Sequence, residues 1–375
     1  MKKILLLILC CGSWNTWATA ATAEKPFYVG ADLSYVNEME DCGATYYDQG
    51  KKQDPFTLFA DKGSDLVRVR LWHDADWTKY SDFDDVSKTL QRAKDNNMKT
   101  LLDFHYSDTW TDPEKQFIPK AWAHITDTDE LAQALYDYTT DTLAKLDAKN
   151  LLPDMVQVGN ETNIEILQQE KTIVHGIPNW KRNAQLLNSG IKAVRDYSKK
   201  TNKPIQIVLH IAQPENALIW FKQAKENGVT DFDIIGLSYY PQWSTYQLAY
   251  VPDAIKELKS SYQKDVMIVE TAYPWTLKNF DKAGNVLGKK AVQPDYPATA
   301  KGQLLYLLTL TQLVKAAGGL GVIYWEPAWV STRCKTLWGR GSHWENASFF
   351  DATRRNNALP AFLFFSADYT GQATE

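Results

Sequence analysis

Hydrophobic positions along this chain follow two alternating rhythms. Short runs rich in β-branched and apolar residues occupy positions 27–34, 66–72, 99–105, 155–158, 205–210, 233–241, 266–271 and 320–326, and they predict eight strands. Longer stretches with apolar residues near helical spacing predict helices over 56–63, 84–96, 128–150, 180–201, 216–227, 251–262 and 298–317. In the third of these, Leu131, Leu135, Leu143 and Leu146 mark the apolar side. Gly63, Gly228 and the Gly318-Gly319 pair supply C-terminal stops. Strands alternating with helices predict a parallel sheet covered by helices, and a count of eight favours a closed α/β barrel of the (β/α)8 (TIM) type with extended loops. An open doubly wound sheet is the competitor, but the first strand–helix junction lacks GxGxxG and no GxxxxGK[ST] occurs. Without a repeat or a low-complexity linker, residues 21–375 are expected to form one domain, with a last helix between 346 and 375 packed on the barrel.

The first residues belong to a different pattern. Lys2 and Lys3, an apolar run from Ile4 to Cys11 and the small residues Ala18-Thr19-Ala20 and Ala21-Thr22-Ala23 read as a signal peptide over 1–20, with cleavage after residue 23 as the other option. A lipid anchor at Cys10 or Cys11 is the weaker reading, because large residues precede both. Export is therefore expected, to the periplasm, the cell surface or the medium. No later run is long and charge-free enough for a transmembrane helix. The net charge of −4 argues against a nucleic-acid surface, and six histidines without HExxH give no metalloprotease signature.

A closed barrel gathers its chemistry at the C-terminal ends of the strands. The polar residues there are Arg70, His105, Asn160-Glu161, His210, Tyr239 or Tyr240, Glu270 and Trp325-Glu326. Taken alone, Val158-Gly159-Asn160-Glu161 reads equally as a helix cap and as a buried carboxylate held by its neighbours. Its place on strand four, across from Glu270 at the end of strand seven, favours the second reading. Two carboxylates about 5–5.5 Å apart are what a retaining glycosidase needs, one as nucleophile and one as acid/base. Arg70 is the expected cation beside the nucleophile, with a strand-six tyrosine orienting it; a structural ion pair is the alternative for Arg70. His105 and His210 equally suit a packed barrel interior, and no spacing supports a metal there. Glu326 is the rival carboxylate. A serine nucleophile is disfavoured because Gly236-Leu237-Ser238-Tyr239-Tyr240 does not complete G-x-S-x-G. Many of the 14 Trp, 19 Tyr and 14 Phe belong to the core, but Trp110, Trp122, Trp243, Trp275, Trp329 and Trp338 sit in polar loops, where flat rings suit sugar faces.

Several blocks carry a resemblance. They are Val67-Arg68-Val69-Arg70-Leu71-Trp72, the run Asp103-Phe104-His105-Tyr106-Ser107-Asp108-Thr109-Trp110-Thr111-Asp112-Pro113, Val156-Gln157-Val158-Gly159-Asn160-Glu161, the segment from Leu187 to Arg195, and Ser238-Tyr239-Tyr240-Pro241. Together they resemble glycoside hydrolase family 53, the endo-β-1,4-galactanases, within the clan of retaining (β/α)8 glycosidases, from Gly30 to Trp325. The resemblance implies Glu161 as acid/base, Glu270 as nucleophile, and retaining hydrolysis of β-1,4-galactan in type I arabinogalactan. With the strand-end placement it points to Arg70, His105, Asp108, Trp110, Asn160, Tyr239, Tyr240, Trp275 and Trp325 as substrate-binding residues. The segment Thr162-Asn163-Ile164-Glu165-Ile166-Leu167-Gln168-Gln169 departs from the family's usual Gly- and Trp-containing run, which leaves product length open.

Some bacterial members bind calcium after strand seven. Asn279, Asp281 and Asn285 are the candidates here, but the few carboxylates favour an ordinary turn, and no cofactor is expected to be required. Cys42 and Cys334 fall in the loops after strands one and eight, neighbours in a closed barrel, so a disulfide stands beside two free thiols as a reading. The expected partner is a galactan chain and the expected state a monomer. A barrel glycosidase for mannan or a glucan, and a non-catalytic sugar-binding barrel, are the alternatives; two cleft carboxylates argue against the binder.

Overall fold

In the computed structural model, which describes residues 26–169 and 178–369, the eight apolar runs pair edge to edge until the sheet closes. The expected signal segment and its lipid-anchor alternative lie outside the described residues. The strands are β1 (Tyr28–Asp32), β2 (Leu66–Leu71), β3 (Lys99–Phe104), β4 (Met155–Val158), β5 (Gln206–Ala212), β6 (Ile234–Ser238), β7 (Asp265–Thr271) and β8 (Gly321–Tyr324). Each pairs in parallel with its neighbours in sequence, and β8 closes on β1. Closure leaves no free edge in this sheet.

Helices α1 (Pro55–Asp61), α2 (Phe83–Asp95), α3 (Thr128–Ala148), α4 (Trp180–Thr201), α5 (Pro214–Glu226), α6 (Val251–Tyr262) and α7 (Ala300–Ala316) separate successive strands. Local chemistry starts several of them. Asp54, Asp82, Asp127 and Thr299 each accept a hydrogen bond from a backbone N–H of the first turn, where an uncapped helix leaves donors orphaned. The expected last helix is the single turn α8 (Leu363–Ser366).

Side chains alternate along each strand, and the inward ones form two unlike layers. Leu66, Leu101, Met155, Val208, Ile234 and Met267 make a dry plug. Two residues further along come Arg68, Asp103, Gln157 and His210, all buried. Strict alternation would turn Glu270 outward, since Met267 and Val269 both point into the plug. The β6–β7 register shifts at this point: Leu237 pairs with Ile268, but Ser238 pairs with Glu270. That bulge turns Glu270 inward, opposite Ser238.

Polar segments in the loops build structure that hydrophobic patterning does not announce. Strands Tyr46–Asp48 and Lys51–Gln53 join Phe350–Asp351 and Asn357–Ala358 in a small four-stranded sheet, so the loop after β1 and the C-terminal segment brace each other. Cys42 and Cys334 are linked by a disulfide between the loops after β1 and β8. Among the described residues no helix is long and apolar enough to cross a membrane.

Candidate active site

The site is assembled around Arg68, whose side chain β2 carries into the polar layer. Nε donates to Gln157 Oε1 (3.3 Å), Nη1 to Asp32 (2.8 Å), and Nη2 to Asp103 (2.8 Å) and Asn160 Oδ1 (2.8 Å), while Nη1 also forms an ion pair with Glu270 at 2.8 Å. Four of the guanidinium's five N–H groups thereby donate to side chains, and its charge is shared with Glu270. One cation faces three carboxylates, so the centre tolerates little further ionisation.

Beside that ion pair, Glu270 accepts a hydrogen bond from the Tyr240 hydroxyl at 3.0 Å. Burial pushes its pKa up to about 7, while Arg68 and Tyr240 hold it down against Asp32 and Asp103. Glu161 has no cation of its own. Burial, and then the charge of Glu270, push its carboxyl well above the ordinary range. Of the pair, Glu270 is the one set to ionise first.

Glu161 follows a sharp local turn. Gly159 and Glu161 both take left-handed backbone conformations, with φ of 83° and 44°. A Cβ on Gly159 would lie 2.6 Å from Thr162 Cγ2, so only glycine fits there. Gln116 Nε2 donates to the carbonyls of Asn160 (2.8 Å) and Glu161 (3.1 Å) and braces the turn. Asn160 donates to Thr111 O at 2.8 Å, and its oxygen meets Arg68 and His210. Glu161 Oε1 lies 2.5 Å from Ser238 Oγ, which in turn lies 2.8 Å from His210 Nε2. No helix begins at this turn, so the cap reading fails.

Both glutamates open onto one cleft of about 700 Å³, walled by Trp110, Trp243, Trp325, Trp329, Trp338 and Trp344. Trp243 and Trp338 are 49% and 39% exposed, so their faces meet solvent at the rim. Behind the wall, Arg70 pairs with Glu326 at 2.5 Å and lies over Tyr35 and Trp110, 4.2 and 4.4 Å from the ring centroids. The site thus combines an asymmetric carboxyl pair with apolar platforms for a chain of rings.

The sequence model of Glycosyl hydrolase family 53 matches residues 28–365. The chain belongs to that family. It is 81% identical to an arabinogalactan endo-β-1,4-galactanase of Cellvibrio japonicus, over 99% of both chains. It is 37% identical to an endo-β-1,4-galactanase of Bacillus subtilis, covering 86% of this chain and 77% of that one. Among solved structures, the family 53 catalytic domain of Ignisphaera aggregans superposes with a TM-score of 0.82 at 30% identity, over 92% of this chain and 97% of the other. The protein is therefore a glycosidase of family 53 on a TIM barrel.

Against this family frame several sequence expectations need correction. Arg70 is not the cation beside Glu270; Arg68 is, and Arg70 is sealed against Glu326, the rival carboxylate, which is itself fully buried. His105 does not reach the cleft: it donates through Nε2 to Asp103 (3.1 Å) and accepts from Thr111 N (3.2 Å). Asp108 clamps loop backbone, accepting from Asp74 N and Lys120 N. The Tyr239 hydroxyl donates to Tyr246 O, away from the cleft. Trp275 stacks on Phe280 and donates to Glu345 O, behind the wall. Trp110, Asn160, Tyr240 and Trp325 do line the cleft, as do the loop tryptophans Trp243, Trp329 and Trp338, whereas Trp122 packs on His73.

Arg68, Ser238 and Gln116 were missed as site residues. Position 68 shares its inward face with position 70, and that parity was the available signal. In the loop after β7, the Asp281 carboxylate accepts from Ala283 N, Ser342 N and Ser331 Oγ, each at 2.7 Å, while Asn285 donates to Asn279. Calcium takes six to eight oxygens, whereas both oxygens of the Asp281 carboxylate already accept from protein donors, and Ser331 Oγ bridges it to Glu345.

Proposed function

We propose that this family 53 enzyme is an exported endo-β-1,4-galactanase that cleaves type I arabinogalactan with retention and without a cofactor. The observation that carries the mechanism is the unequal support of two glutamates in one cleft: Glu270 on Arg68 and Tyr240, Glu161 on the neutral Ser238. The substrate follows from the two galactanases to which the chain is similar. Export fits the N-terminal pattern and a disulfide that an oxidising compartment would preserve.

In the first step Glu270 attacks the anomeric carbon as Glu161 gives its proton to the glycosidic oxygen, and the leaving chain departs as an alcohol. In the second, Glu161 takes a proton from water, whose oxygen displaces Glu270 from the same carbon. Two displacements restore the original configuration. Arg68 and Tyr240 lower the charge on Glu270 as it bonds, and the tryptophan walls hold the sugar rings.

The test is proton NMR of the first product released from linear β-1,4-galactan, with mannan and cellulose derivatives in parallel. The β-anomer from galactan is expected first. An α-anomer would overturn retention, and cleavage of mannan or glucan in place of galactan would overturn the substrate. Glu161→Gln and Glu270→Gln should each lose at least about a thousandfold in kcat on galactan while still binding oligosaccharide.

A further inference from the structure

Two side chains beside Glu161, those of Ser238 and His210, stand outside the cleft but restrict where its proton can sit. The restriction begins at Asn160. Its Nδ2 faces Thr111 O, a carbonyl that only accepts, and its Oδ1 faces Arg68, which only donates. The amide therefore has one orientation, and Oδ1 is what His210 Nδ1 meets at 3.0 Å. Gln157 is fixed in the same way: Oε1 accepts from Arg68, while its two N–H groups go to Asp103 at 2.5 Å and Gly159 O at 3.1 Å. The contacts of its Nε2 with Asn160 Oδ1 and His210 Nδ1, both 3.2 Å, are the longer ones of that nitrogen.

His210 is held neutral by burial and by Arg68, against the pull of Asp103. A neutral imidazole carries one proton, and the acceptor at 3.0 Å places it on Nδ1. Nε2 then accepts from the Ser238 hydroxyl at 2.8 Å. Ser238 has a single proton, now directed at His210, so its contact with Glu161 Oε1 at 2.5 Å needs a proton from Glu161. If Glu161 ionises, the serine has two acceptors and one proton, and one contact goes unmade.

We propose that the chain Asn160–His210–Ser238 orders its protons so that the free enzyme keeps Glu161 in its acid form, with Ser238 and His210 as positioning residues. The inference rests on the acid/base role given to Glu161 above. Donation to substrate then needs a half-turn of the carboxyl about Cγ–Cδ, which carries the proton from Ser238 to the leaving oxygen. The competing arrangement has Nδ1 accepting from Gln157 Nε2 at 3.2 Å or from the Glu161 N–H at 3.4 Å, both longer than its 3.0 Å contact with Asn160 Oδ1. It would make His210 Nε2 a donor and free the serine proton for an ionised Glu161. The other charges facing Glu161 are Glu270 from β7, Asp112 from the loop after β3 and Arg68 from β2, with the Tyr240 hydroxyl from the loop after β6; His210 faces Arg68, Asp103 and His105.

The two arrangements predict opposite signs. In the wild-type protein labelled with [15N]histidine, His210 should show a protonated Nδ1 and a bare Nε2 at neutral pH; the reverse pattern, or two protonated nitrogens, overturns the proposal. This measurement needs no substrate, so it stands apart from the galactanase reading, which absent galactan cleavage would overturn. In Ser238→Ala, the basic limb of kcat/KM, which reports the acid of the free enzyme, should move down by about half a unit to one unit. An upward shift or no shift overturns the proposal.

Discussion

Arg68 and Arg70 stand two residues apart on β2, and removing each should be felt in a different place. Arg68→Met leaves Asp32, Asp103 and Glu270 without a cation, which should cost about 3–5 kcal/mol of stability by denaturant unfolding. Arg68 holds the pKa of Glu270 down, so the acidic limb of the pH–rate profile of any surviving enzyme should move to higher pH. Arg70→Met strands Glu326 and loosens the Trp110 wall, so it should destabilise the fold and raise KM but leave the acidic limb where it is. A common shift of that limb in both variants would reject the division of roles. The sequence makes both arginines inward-facing by parity, but not which one lies level with the strand-seven carboxylate. That level depends on the stagger of β2 against β7, a property of closure. Asn160, Glu161 and Glu270 were legible because short strands end abruptly in them. Ser238 carries no such signal in the sequence, because its link between Glu161 and His210 exists only once β5 and β6 are side by side.

Among the elements, caps and turns make separable predictions. Asp127 caps α3 by accepting from the N–H groups of Asp129 and Glu130, far from the cleft in sequence and role. Asp127→Ala should lower stability by about 1 kcal/mol and leave kcat unchanged. Gly159→Ala should do the reverse in emphasis. A side chain there collides with Thr162 and shifts the Asn160–Glu161 turn, so kcat should fall steeply in a protein that still folds. Circular dichroism melts and initial rates on galactan separate the two cases. All eight barrel strands could be read because each is a short apolar run between helical stretches. The small sheet of Tyr46–Asp48 and Asn357–Ala358 could not, since its strands are polar and its partners lie about three hundred residues apart in the chain. The expected last helix is present but only one turn long, because Phe350–Asp351 and Asn357–Ala358 pair with each other and Asn357 with Tyr47.

For the whole molecule, the buried carboxyls set a pH dependence of stability. Glu270 is raised from 4.5 to about 7 and Asp65 from 3.8 to about 6, and Glu161 and Glu326 are raised well above 4.5, all chiefly by burial. A raised carboxyl binds its proton more tightly in the fold than in the unfolded chain. Its contribution is fully present below the unfolded pKa and is lost as pH rises through the folded one. Asp103 is lowered, so its opposite contribution is already complete above about pH 4 and does not cancel the trend. Calorimetry should therefore give a higher Tm at pH 5 than at pH 8, and Glu161→Gln should narrow the gap by gaining stability at pH 8. A wider gap in that variant would contradict the burial argument. The crowded guanidinium of Arg68 has one more consequence, for how such a protein can diversify. With its donors and its charge shared among side chains from four other strands and the Asn160 turn, no single replacement in the polar layer leaves the others satisfied. Selection for a new substrate would find that layer closed to stepwise change and the tryptophan rim open. Laboratory libraries should accordingly recover altered specificity from the loops, with the inner ring returned unaltered.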